Sequence, residues 1–193
     1  MYINRKQLII DAAERTFSSF GYKATTMEQV AKLANVGKGT IYTFFKNKEE
    51  LFDEIISSMI TEMKKEAEDV FDSNLSFYEN AHQSLYKILE FRKKHQLMIK
   101  LVEEEKQIGT LAVQEVMIRV EDAIILFIEQ KVITAIDKKE IRPCDPKLTA
   151  FLLLKLYKAL IFDWEKRNES LNKEEIAQLF ELYFFQGLSI KEN

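Results

Sequence analysis

Cysteine is nearly absent from the chain. Cys144 stands alone in 193 residues, which excludes a disulfide framework and a cysteine-built metal cluster. That usage fits a reducing cytoplasm, the expected location. Histidine is almost as scarce. His82 and His95 are too few to pair a nucleophile convincingly with a base, so no catalytic constellation can be assembled and an enzyme is not expected. Long hydrophobic runs are missing too. The longest, Ala123 to Ile128, is closed by Asp122 and Glu129, far short of the ~20 residues that span a bilayer. Asn4, Arg5, Lys6 and Asp11 interrupt anything resembling a signal-peptide core. With five glycines and two prolines, helix breakers are rare and each one is informative. No β-type alternation of useful length and no internal repeat appears, so the fold class is all-α.

What the chain does have is concentrated between Tyr22 and Phe52. Thr25 or Thr26 can cap a helix, and Thr26-x-x-Gln29 has the spacing of a capping box. Met27, Val30, Ala31 and Ala34 then share one helical face. Asn35 tolerates a left-handed backbone, so Asn35-Val36-Gly37 can turn the chain sharply. A second helix, Lys38 to Phe45, turns only Ile41 and Phe45 inward, and shows Lys38, Gly39, Thr40, Tyr42, Thr43 and Phe44 outward. So little anchoring beneath so much donor chemistry describes a helix-turn-helix whose partner is double-stranded DNA. Gly39 costs roughly 1 kcal/mol of helix stability relative to alanine, a cost consistent with close backbone approach to DNA. Lys46 and Lys48 flank the N-terminus of the next helix, where a phosphate would relieve their repulsion from its dipole.

Charge is partitioned in the same sense. The net charge of −3 hides a head, residues 1–48, with eight basic residues against Asp11, Glu14 and Glu28; the head carries +5 and the remainder −8. Screening beyond about 8 Å confines phosphate attraction to the head.

Gly21-Tyr22, Thr25-Thr26, Ala34, Val36, Gly39-Thr40, Tyr42, Phe45, Lys46, Lys48 and Glu49-Glu50-Leu51 together resemble the N-terminal signature of TetR-type (tetracycline-repressor-like) transcriptional regulators. Asn35 and Gly37 stand where that family often has Gly and Ser. Phe44 stands where it often has His or Tyr, which removes one phosphate hydrogen bond. The resemblance implies a DNA-binding head over residues 1–48 and an effector-binding, dimerising body over residues 49–193. It also implies a repressor whose effector tilts the helix that begins at Asn47 and so changes the separation of two heads on a pseudo-palindromic operator. The DNA-contacting set is Thr25, Thr26, Met27, Val36, Gly37, Lys38, Gly39, Thr40, Tyr42, Thr43, Phe44, Lys46 and Lys48.

Beyond the head, the pattern predicts helices over 4–20, 47–72, 77–94, 95–106, 110–139, 146–167 and 173–188. The last two are apolar nearly all round, which requires burial on both sides and points to a homodimer. Leu153, Leu160, Trp164, Phe180, Phe184 and Phe185 are the expected interface. The inward surface of the body, including Leu85 and Phe127, is aliphatic and aromatic. The family's cavity, if carried here, would therefore take a small apolar effector. Tyr86, Leu89, Gln114, Met117, Arg119, Phe151, Leu154 and Tyr157 are its expected lining. No cofactor and no metal is expected. Glu79-x-x-His82 has the spacing of half a di-iron site but lacks a second copy. Glu103-Glu104-Glu105 reads as a solvated face, and Cys144 as an inert thiol. A DNA-organising protein without an effector is the alternative: an apolar cavity would favour the regulator, a solid core the organiser.

Overall fold

The short-range signals in the head are answered by cap hydrogen bonds and left-handed turns in the computed structural model, which describes residues 4–186. The Asn4 side chain accepts from the Gln7 N–H (3.2 Å) and opens α1 (Arg5–Ala24). Gly21 interrupts that helix with φ +82°, a left-handed value that favours glycine. Thr26 caps α2 (Met27–Leu33) through a complete capping box with Gln29, a device worth about 1 kcal/mol. Asn35 adopts φ +53° and turns the chain into α3 (Lys38–Phe44). The Asn47 side chain then accepts from the Glu50 N–H (2.8 Å) at the start of α4 (Lys48–Asp69).

The helices that follow are α5 (Phe77–Lys94), α6 (Gln96–Gln107), α7 (Leu111–Asp137), α8 (Pro146–Lys158) and α9 (Lys173–Phe180), and no strand occurs among the described residues. Ser76 and Glu79 cap α5 reciprocally, and Asn172 and Glu175 do the same for α9. Two long helices differ from expectation at their ends. After α8 the chain widens into a π-helical turn, Ala159–Asp163, and then tightens into a 3₁₀ turn, Trp164–Lys166. After α9 a second π-helical turn covers Glu181–Phe185. The wider turn has a physical consequence: it seats Phe185, five residues beyond buried Phe180, in the core, and leaves Leu182 and Tyr183 outside. Leu188, the expected end of this helix, lies outside the described residues.

The chain forms two compact units, each discontinuous in sequence. One joins the chain up to Met63 with Glu90–Val120; the other joins Lys64–Leu89 with the chain from Glu121 onward. In the first, Ile9, Phe17, Val30, Ile41, Leu51, Leu97 and Leu101 are buried. Phe17, Tyr22 and Phe52 form an aromatic cluster with centroids 4.6–6.0 Å apart. In the second, Leu85, Val132, Leu153, Tyr157, Phe180 and Phe185 are buried, and the Tyr157 and Phe180 rings lie 4.7 Å apart. Each such side chain contributes roughly 1.5–3 kcal/mol by leaving water.

Candidate functional site

Helix α3 is held from below and bare above. Ile41 is buried beneath it, and Phe45 anchors its C-terminal cap. Gly37, Lys38, Gly39, Tyr42, Thr43, Phe44 and Lys46 are exposed, and Val36 and Thr40 are half-buried. Tyr42 keeps 42% of its surface in water. No atom lies within 4 Å of a Cβ built on Gly39, so nothing in the chain itself requires glycine there. Lys38 reaches back to Glu28 on α2 (2.6 Å), an exposed pair that contributes little to stability and leaves the ammonium available to a phosphate. Thr26 is exposed, whereas Thr25 and Met27 are buried. The Thr25 hydroxyl donates to the Gly21 carbonyl (2.7 Å), so these two side chains seat α2 rather than face outward.

Lys48 is engaged more deeply than its place in the sequence suggests. Its ammonium donates to the carbonyls of Tyr22 (2.9 Å) and Thr25 (3.0 Å) and lies 4.2 Å from the centre of the Tyr22 ring. The Tyr22 hydroxyl donates to Glu49 (2.6 Å). Burial first, and that hydrogen bond second, push the phenol well above its ordinary range. Glu104 departs from the solvated face expected of Glu103-Glu104-Glu105: it is 4% exposed. Its carboxylate accepts from the Tyr22 N–H (2.6 Å), the Lys23 N–H (3.1 Å) and the Thr110 hydroxyl (2.7 Å). A helical register does carry the missed signal, because Leu97, Leu101 and Glu104 share the buried face of α6.

The expected effector residues are divided between the two units. Gln114, Met117 and Arg119 belong to the first unit, where Gln114 is exposed and Arg119 pairs with Asp53 (3.0 Å). Tyr86, Leu89, Phe151, Leu154 and Tyr157 belong to the second, with Leu89, Leu154 and Tyr157 buried and Phe151 exposed. An apolar cavity of about 20 Å³ lies instead among Phe71, Phe77, Leu85, Ile88, Phe127 and Ile128. Lys131 stands at it, paired with Glu68 (2.6 Å) and 4.5 Å from the centre of the Phe71 ring. Of the expected interface residues, Leu153, Phe180 and Phe185 are buried within the chain, Leu160 and Phe184 are half-buried, and Trp164 is exposed. From α8 onward the exposed large apolar side chains are Leu148, Phe151, Leu152, Trp164, Leu182 and Tyr183.

Glu79 is spent on the cap of α5, and His82 faces the Tyr157 hydroxyl (Nδ1 to Oη, 3.2 Å). Burial, then the nearby Lys173 ammonium, depresses the His82 pKa. The folded protein therefore binds this proton less readily than the unfolded chain. Stability is expected to be unaffected above the ordinary histidine value of about 6.5 and to fall as pH drops below it. Urea midpoints at pH 7.5 and 5.5 check this: His82→Gln should narrow the difference between them, and an equal difference in both proteins would refute the assignment.

A short, weakly anchored helix presented beyond a tight turn, on a chain without strands among its described residues, defines a helix-turn-helix DNA-binding protein. Residues 9–55 match the bacterial regulatory proteins of the tetR family. The HTH-type transcriptional regulator YhgD of Bacillus subtilis is 59% identical over 189 residues, covering 98% of this chain and 99% of that protein. The chain belongs to the TetR family of transcriptional regulators. Its fold is shared by FadR of Bacillus subtilis in complex with stearoyl-CoA (TM-score 0.68, 20% identity, 90% of this chain and 96% of that one). The SmeT–triclosan complex also shares it (TM-score 0.70, 19% identity, 97% and 92%). No helix among the described residues is long and apolar enough to cross a membrane.

Proposed function

We propose that the protein is a cytoplasmic repressor that binds a pseudo-palindromic operator as a homodimer and is released by a small, predominantly apolar effector. DNA contact falls to the head and effector binding to the body, as the charge partition and the exposed face of α3 support. The observation that carries the effector reading is the cavity between Phe71, the α5 residues Phe77, Leu85 and Ile88, and the α7 residues Phe127 and Ile128. Its walls offer an acyl chain or aromatic ring almost nothing but carbon, and Lys131 offers an anionic or polar head its one cation. Stearoyl-CoA on FadR and triclosan on SmeT, proteins of the same fold, are ligands of that apolar character. At about 20 Å³ the cavity holds one water, so the effector must part α5 from α7 to enter. That requirement couples binding to a change of shape, which release from DNA needs.

Tightness of the cavity is also the observation that favours a DNA-organising protein with no effector. One experiment separates the two. A duplex selected from a random pool by the protein is titrated with long-chain acyl-CoA, free fatty acid, triclosan, polar metabolites and divalent metals. Release by the apolar compounds, weakened in Lys131→Met for the anionic ones, supports the repressor. Release by polar metabolites or metals alone refutes the apolar effector, and no release by any class favours the organiser.

A further inference from the structure

The turn that joins α1 to the helix-turn-helix is gripped at both poles. Gly21 breaks α1, which frees the N–H groups of Tyr22 and Lys23 on one side; on the other lie the carbonyl of Tyr22, which also accepts from the Thr25 N–H (3.3 Å), and the carbonyl of Thr25. Lys48, at the start of α4, takes the carbonyls. Glu104, on α6, takes the N–H groups. A cation on carbonyls and an anion on amides is the strong arrangement for each, since charge-assisted hydrogen bonds are roughly twice as strong as neutral ones. The residue immediately after this turn is Thr26, the N-cap of α2, so the turn sets where the helix-turn-helix begins.

We propose that Glu104 is a positioning residue that registers the recognition helix and makes its placement depend on the α6–α7 turn. This rests on the DNA-binding reading of the head and adds to it the regulation of that site. Four observations carry it. The carboxylate is 82 residues from Tyr22 in sequence, so it reports tertiary position rather than local helix structure. It is buried and has both oxygens committed: Oε2 to Tyr22, and Oε1 shared between the Lys23 N–H and the Thr110 hydroxyl. Thr110 precedes α7, the helix that also lines the body cavity with Phe127, Ile128 and Lys131, and follows Gly109, whose φ of +67° marks a sharp turn. A displacement of that turn therefore pulls on the same oxygen that holds the Lys23 N–H. Finally, the carboxylate has somewhere to go. A cleft of about 180 Å³, lined by Phe20, Lys23, Lys100, Glu103 and Gln107, opens beside it. Lys100, only loosely paired with Glu103 at 3.4 Å, is a ready alternative partner there. Gly21 completes the fit, because a Cβ there would fall 2.4 Å from Glu104 Oε2.

The test compares specific with non-specific DNA, since phosphate attraction needs a basic head but not a registered one. The full-length wild type first selects a duplex from a random pool. Glu104→Gln keeps the side-chain shape but removes the charge and turns an amide N–H₂ toward a donor. It is expected to lose at least about tenfold in affinity for the selected duplex, and less than about twofold for a random one, at fixed salt. Gly21→Ala should lose specific affinity as well, because a Cβ there meets Glu104 and the φ of +82° disfavours any side chain. Thr110→Val, which leaves both amide bonds intact, should fold normally and lose specificity by about threefold. It decides the matter alone if Glu104→Gln does not fold. Equal affinities for wild type and variants would overturn the proposal, as would parallel losses on both duplexes that track the melting temperature, the mark of a merely structural glutamate. A wild type that selects no duplex fails earlier and removes the DNA-binding reading together with this one.

Discussion

Replacing Leu152 and Tyr183 together by glutamate is expected to give a folded monomer in place of a dimer. Leu148, Phe151 and Leu152 stand exposed on α8, and Leu182 and Tyr183 stand exposed beyond α9; Tyr183 keeps 73% of its surface in water. A monomer gains nothing from large apolar side chains held in water on these two segments, whereas a second copy that covers them gains roughly 25 cal/mol per Å². In a two-fold interface each substitution occurs twice, so four carboxylates would be brought together with no cation supplied. Sedimentation equilibrium at micromolar concentration reads the result directly: the wild type at twice the chain mass, the variant at the chain mass, with helical circular dichroism unchanged. A monomeric wild type would overturn the dimer, and a variant that stays dimeric would move the interface elsewhere. Phe180→Glu and Phe185→Glu serve as contrasts. Both phenylalanines lie within the chain's own core, so these variants should unfold rather than dissociate.

The contrast between these phenylalanines and Tyr183 shows what the sequence could and could not tell. Apolarity all round two helices announced that something beyond the chain covers them, but not which side faces the core. That choice is made by a π-helical turn, which shifts the buried position from the α-helical spacing to Phe185, and no residue in Glu181–Phe185 signals it. The head was far more legible because its information is local. Thr26 with Gln29 and Asn47 with Glu50 act within three residues and form the contacts their spacing predicts, and Asn35 takes the left-handed backbone expected of it. Lys48 and Glu104 mark the limit of that legibility. Lys48 reads as a phosphate contact from its charge and place, and Glu104 as solvated from the acidic run around it, although its register with Leu97 and Leu101 points inward. Their partners, Tyr22 to Thr25, lie 23 to 82 residues away and become visible only once α1, α4 and α6 are packed. Where in the body a cavity falls was not legible for a related reason. Its walls are ordinary core residues, and a void depends on how facing side chains fail to meet rather than on which ones they are.

Three substitutions in the head should separate recognition, attraction and support. Tyr42 is exposed on α3 and belongs to no core, so Tyr42→Ala is expected to leave the melting temperature unchanged. Loss of a base-edge or backbone contact in the major groove should cost about 1–3 kcal/mol on a selected duplex, with little effect on a random one. Lys46 has its backbone N–H on Glu50 and its side chain in water, the placement of a phosphate contact. Lys46→Ala should weaken both duplexes alike and lower the salt slope by about 1. Lys48→Ala should do something different from either. Its ammonium holds two carbonyls of the α1–α2 turn at 2.9 and 3.0 Å, and the Tyr22 ring lies 4.2 Å away. Removing a partly buried, charged donor from two acceptors costs about 1.5–3 kcal/mol, which in a chain of this size lowers the melting temperature by roughly 5 °C. Its effect on DNA should then fall mainly on the selected duplex, through a turn that no longer seats α2. Fluorescence anisotropy across a salt series, paired with thermal melts, distinguishes the three. A Lys48→Ala protein as stable as wild type, with only its salt slope changed, would return Lys48 to the phosphate contacts and leave Glu104 to hold the turn alone.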